Sequence, residues 1–172
     1  MLPQPVQPRI DDPMALLNAC HDKVRHFSKL AQRLRDHVAA HGCDRQAREA
    51  ATAVLRYFNL AAPLHHQDED LDLYPALLAL GDDALTQQVE RLSAQHGPLH
   101  EQWVALRPWL EALASGATPV APAPDVDAFA QGYRAHAQAE EQLLYPHASR
   151  LSATQLCALA DTMSQRRRQP PG

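Results

Sequence analysis

One pattern occurs twice in this chain, at the same internal spacing each time. The first copy is His65, Glu69, Tyr74 and Pro75, and the second is His136, Glu140, Tyr145 and Pro146, an offset of 71 for every member. An imidazole and a carboxylate four residues apart stand one above the other on one helix face. Two such helices facing each other inside a bundle aim His and Glu at a shared point, which is how helical bundles build di-iron sites. The plainer explanation is two unrelated surface pairs. A lone HxxxE is a weak match, but the same spacing repeated through to Tyr-Pro argues against that explanation.

The rest of the chain agrees with helices. Its 172 residues are enough for one domain with a substantial core. Six Gly and three Phe, beside abundant Ala and Leu, point away from a sheet-rich fold. The net charge of −4 offers no broad basic field for nucleic acid. No apolar run approaches the roughly 20 residues that span a membrane. The amino-terminal MLPQPVQPRIDDP lacks the apolar stretch of a secretory signal. Cys20, Cys43 and Cys157 cannot all pair within one chain, which suits a reducing cytoplasm.

Residues 1–12 read as an extended tail. Asp12 before Pro13 marks a helix start, and apolar residues at a 3.6-residue period carry that helix to Gly42. A second helix follows Asp44 and runs to about Leu80, bent or divided near Pro63. A third starts at Asp82 or Asp83 and stops before Ser115. GATPVAPAPD is a loop. A fourth helix covers about 126 to 151, and Ser152 caps a short fifth helix to about Gln165. RRRQPPG reads as a basic tail with no specific role. The expected architecture is all-α: an up-down-up-down four-helix bundle over 13–151, then a short additional helix and tail over 152–172.

Each half of this bundle contributes one His from its first helix and an HxxxE from its second. His21 opens the first half, and His96 opens the second. His21, His65, Glu69, His96, His136 and Glu140 are therefore candidate metal ligands. Imidazole suits iron, and a carboxylate spanning two metals cancels charge and fixes their separation. Burying two acids without a cation would be costly. A fifth imidazole has two candidates. His100 stands four residues after His96, although Gly97-Pro98 disturbs the helix between them. His66 neighbours His65, turned about 100° from it on a helix. Asp70 and Glu141 follow the two Glu directly and compete with them as bridging acids. The repeat favours Glu69 and Glu140. Tyr74 and Tyr145 read as core aromatics below the ligands. His26, His37, His41 and His147 read as solvated or outlying.

The set His21-Asp-Lys-Val-Arg, His65-xxx-Glu69, His96 and His136-xxx-Glu140 resembles the hemerythrin-like (HHE cation-binding) family over about residues 13 to 150. The resemblance implies a four-helix bundle holding two irons, bridged by two carboxylates and an oxo or hydroxo group. Helix 3 of the animal oxygen carriers supplies HxxxH, which His96-xxx-His100 matches and which brings His100 into the ligand set. Their helix 4 uses an acid five residues after its His, here Glu141. The bacterial iron-repair and sensor members use the acid four residues on, here Glu140. The expected function is a cytoplasmic, stand-alone di-iron protein that binds or senses dioxygen, peroxide or nitric oxide, or handles iron. A di-iron peroxidase or oxidase, and a metal-free helical interaction protein, are the alternatives. The sequence leaves the oligomeric state open.

Overall fold

The computed structural model describes residues 11–119 and 123–168, and all of its regular structure is helical. The tail expected over 1–12 lies outside the described residues except for Asp11 and Asp12, as do the last four residues. No helix among the described residues is long and apolar enough to cross a membrane.

Helix α1 is Pro13–His41. Asp12 caps it by accepting from the N–H groups of Met14 and Ala15 at 2.9 and 3.1 Å, and Pro13 occupies a first-turn position that needs no donor. Gly42 ends it at φ 74°, a conformation open to glycine at little cost.

Residues 45–78 form one continuous helical run, α2, with two π turns inside it, Tyr57–Ala61 and Glu69–Leu73. The N–H of Ala62 reaches the carbonyl of Tyr57, and the N–H of Tyr74 reaches that of Glu69, each spanning five residues. Pro63 and Pro75 stand in the first turn of the α segment that follows each π turn. A proline in mid-helix removes one i−4 bond and crowds that carbonyl, and the wider turn absorbs both effects. The bend expected at Pro63 is this π turn.

The helix expected from Asp82 or Asp83 to just before Ser115 is broken. It divides into α3, Asp83–Ser93, and α4, His96–Ser115. Pro98 cannot donate to Ala94, so the N–H of Gln95 bonds Leu92 and the helix restarts when Leu99 bonds Gln95. The next helix, α5, is Val126–Leu143, shorter than expected. Pro146 ends it, and a 3₁₀ segment, Tyr145–Arg150, takes the chain onward. Helix α6, Ala153–Arg168, includes the three arginines that the sequence reading placed in a tail.

Two of these arginines, Arg166 and Arg167, are held by buried acids. Arg166 pairs with Asp68 and with Asp72, the latter at 2.7 Å. Arg167 donates to both oxygens of Asp68. This fixes α6 against the face of α2 that carries the HxxxE.

Two apolar cores lie at opposite ends of the molecule. One gathers Val24, Phe58, Ala62, Leu99, Trp103, Phe129 and Tyr133. The other gathers Leu17, Leu73, Leu77, Leu92, Leu144 and Met163. Each long helical unit crosses from one to the other through a polar pair or single His: Leu17, His21, Val24; Ala62, His65 and Glu69, Leu73; Leu92, His96, Leu99; Tyr133, His136 and Glu140, Leu144. The direction of crossing reverses from each unit to the next. A polar layer is thereby held between two dry ones. Gly132 lets α5 approach α4 here, since a Cβ at that position would stand 3.0 Å from Gln102 Oε1 and 3.3 Å from Leu99 Cδ2.

Candidate metal centre

The polar layer brings together His21, His65, Glu69, His96, His136 and Glu140, all of them buried. Their donor atoms fall into two groups that could each hold a cation, His66, Glu69, His96 and His136 in one, and His21, His65, Glu69 and Glu140 in the other.

The carboxylates link the groups. Glu69 Oε1 lies 3.4 Å from His65 Nε2 and 3.7 Å from His21 Nε2, while its Oε2 lies 3.6 Å from His96 Nε2. Glu140 Oε2 lies 3.1 Å from His21 Nε2, while its Oε1 lies 3.2 Å from His136 Nε2 and 3.8 Å from His96 Nε2. Each Glu turns one oxygen to each histidine group.

His66 is a member of this cluster and His100 is not. His100 is exposed, and the buried stripe of α4 runs His96, Leu99, Trp103, Leu106, Leu110 and Leu113. Alternating steps of three and four put the helix seam on the Leu99 side of His96, and His100 falls on the flank that faces water. His66 reaches the site because the relevant reference is Glu69 and not His65. At 100° per residue, positions i−4 and i−3 stand about 40° and 60° to either side of residue i. His65 and His66 therefore flank Glu69, and the ring of His66 stacks on His96 with centroids 4.1 Å apart.

Three histidines are oriented from outside. His21 Nδ1 bonds Glu141 at 3.0 Å, His96 Nδ1 bonds Asp70 at 2.9 Å, and His136 Nδ1 bonds Gln95 Oε1 at 3.0 Å. An acceptor at Nδ1 keeps that nitrogen protonated and leaves Nε2 as the donor atom directed inward. Asp70 and Glu141 thus sit at the edge of the site, half-exposed, and Glu141 is itself paired with Arg25 at 2.5 Å.

The rings of Tyr74 and Tyr145 pack in the second apolar core, as expected, and their hydroxyls reach the layer. Tyr74 donates to Glu140 Oε1. Tyr145 donates to Glu69 Oε1 at 2.7 Å. A residue five positions after Glu69 would stand about 140° away on an uninterrupted α-helix. The π turn brings Tyr74 back to the site, and the break at Leu144 does the same for Tyr145. The paired Tyr-Pro was the available signal, because proline one residue after each Tyr forces an irregularity between Glu and Tyr. His26, His37, His41, His147 and Cys20 belong to neither donor group.

The electrostatics suit a cation. Burial, and then the charge of Glu140, push the Glu69 carboxyl up to about 8. Burial opposes the Glu140 charge too, but hydrogen bonds from His136, His21 and His96 outweigh it and hold that group well below the usual range. Burial likewise works against a charge on His21 and His96. Bonds to Glu140 and Glu69 lift His21 to about 9, and bonds to Asp70 and Glu140 lift His96 to about 10. Burial, with His96 and His136 nearby, depresses His66 to about 3. Positive charge is drawn to the middle of the layer, where protons hold the balance. Among the described residues Glu69 Oε2 is buried without a hydrogen-bond partner, an acceptor that a cation would satisfy. A divalent cation would offset the carboxylate charge here and would leave the histidines that hold it neutral, the form in which imidazole ligates.

Comparison with known proteins agrees with this layer. The chain is 37% identical over 157 residues to a protein of Haemophilus influenzae described as uncharacterized, covering 91% of each chain. The profile of the hemerythrin HHE cation-binding domain matches residues 12–148, which include every residue of the two donor groups. The chain belongs to the hemerythrin HHE cation-binding family.

Proposed function

We propose that the four helical units form an up-down-up-down bundle that holds two iron ions in its polar layer. His66, His96 and His136 would hold one iron, His21 and His65 the other, and Glu69 and Glu140 would span both. The observation that carries this reading is the division of each carboxylate, one oxygen toward each histidine group. A single four-coordinate zinc site would need about four of these donors and would leave several buried acceptors unused.

A pair of irons supplies redox change and Lewis acidity toward dioxygen, peroxide or nitric oxide. The residues do the rest. Glu141, Asp70 and Gln95 fix three imidazole rings, and the outer carboxylates raise the basicity of His21 and His96. Leu17 and Leu73 on one side, with Val24 and Ala62 on the other, keep the layer dry. The unequal division of histidines directs a small ligand to the iron held by His21 and His65, which has one histidine fewer. This favours a protein that binds such a ligand or responds to it, or that handles iron. The enzyme alternative, a di-iron peroxidase, uses the same donors and is distinguished by steady turnover of peroxide.

The test is anaerobic loading with ferrous iron, followed by the absorption spectrum before and after oxygen. An oxygen-dependent charge-transfer spectrum at full iron occupancy supports the proposal. Iron that remains colourless and ferrous in oxygen counts against it.

A further inference from the structure

The phenol oxygen of Tyr145 touches two of the atoms assigned above to the two-histidine iron. It is 2.7 Å from Glu69 Oε1 and 3.1 Å from His21 Nε2. Ligand atoms bound at about 2.1 Å to a shared ion of octahedral geometry, at right angles to one another, would lie about 3 Å apart. Tyr145 thus keeps the spacing of a neighbouring ligand to both atoms. Its ring is buried and lies parallel to His21, with centroids 5.1 Å apart and 7° between planes, so the oxygen is fixed in place by packing.

The repeat shows why one iron would have this neighbour. His66 is the third histidine of its group, three residues before Glu69. The residue at the same place before Glu140 is Ala137, buried and with no donor atom. The second half therefore cannot return a third histidine to the His21 and His65 group, and Tyr145 is the polar side chain that stands there. Tyr74, its counterpart, bonds Glu140 Oε1 and stacks on His96 more loosely, at 5.9 Å and 18°.

We propose that Tyr145 is a protein ligand of the iron held by His21 and His65, supplying through its phenol oxygen the donor that His66 supplies to the other iron. The inference rests on the di-iron reading above. On loading with iron, the phenol O–H bond breaks, the oxygen–iron bond forms, and one proton leaves to water, as for other protonated ligands. A small ligand that enters this iron does so by displacing the phenol oxygen, so Tyr145 sets how readily the iron opens.

The experiment is iron loading in air of the unmodified protein, Tyr145→Phe and Tyr74→Phe. Bound iron is counted in each, and resonance Raman spectra are recorded with excitation in the visible band. The unmodified protein should bind two irons and show the ring modes of an iron(III) phenolate. Tyr145→Phe, which keeps the ring volume, should lose those modes entirely in whatever iron it retains. Tyr74→Phe should keep them. Two bound irons with no phenolate modes in the unmodified protein would overturn the assignment without any variant being needed. So would modes that survive Tyr145→Phe or vanish in Tyr74→Phe. Failure of the unmodified protein to take up two irons would overturn the di-iron reading itself, and the Tyr145 ligand with it.

Discussion

Tyr145 donates its hydroxyl to Glu69 at 2.7 Å, a bond from the second half of the repeat to the first. Its counterpart, Tyr74 to Glu140, runs from the first half to the second. Each half of the molecule thus holds the central carboxylate of the other. The crossing explains why Tyr, Glu and His share one spacing in both copies.

Glu140 and Glu141 should separate cleanly. Glu140 reaches both histidine groups, while Glu141 bonds only the outer nitrogen of His21 and Arg25. Glu140→Ala should lose at least one iron per chain. Glu141→Ala should retain two, with iron affinity reduced by about 10- to 100-fold through the freed His21 ring. Metal analysis after dialysis against graded chelator measures both.

His66 and His100 make an equally sharp pair. His66→Ala should lower iron occupancy at the three-histidine group, because its ring packs on His96 inside the layer. His100→Ala should leave iron content and melting temperature unchanged, because that ring is exposed. Iron counted per chain in the two variants decides the matter, and equal losses would contradict the site described here.

The α6 clamp has a measurable weight. Asp68 is fully buried and is paired with Arg166 and Arg167. Replacing both arginines by Ala strands that carboxylate and should cost about 3 to 5 kcal/mol in urea unfolding. Adding Asp68→Asn to the double variant removes the stranded charge and should restore part of the loss. No recovery would mean that α6 matters through packing alone.

Removing metal should destabilise the protein. At a free iron concentration 100-fold above the dissociation constant, binding adds about 2.7 kcal/mol. For a chain of this size that corresponds to a rise of roughly 5 to 11 °C in Tm. Differential scanning calorimetry with and without iron measures it, and equal Tm values would count against a buried metal site.

Much of this arrangement is legible in the sequence, and the departures share a cause. The HxxxE repeat locates His65, Glu69, His136 and Glu140, and apolar periodicity adds His21 and His96. The sequence disturbs a helix only near Pro63 and Pro98 and carries one smoothly through Pro75 and Pro146, yet each of the four follows a π turn or a break. Those irregularities turn Tyr74 and Tyr145 into the layer and set the seam of α4 past His100. His66 was legible from its place three residues before Glu69, but not from its place beside His65. The Arg166 and Arg167 pairing with Asp68 was not legible, because it joins residues about 100 positions apart and carries no local period.

The most direct test of the central claim is an anaerobic titration of metal-free protein with ferrous iron, followed by metal analysis of the isolated product. Saturation at two irons per chain is the predicted result. Saturation at one metal per chain, or at one zinc with no uptake of ferrous iron, would contradict it.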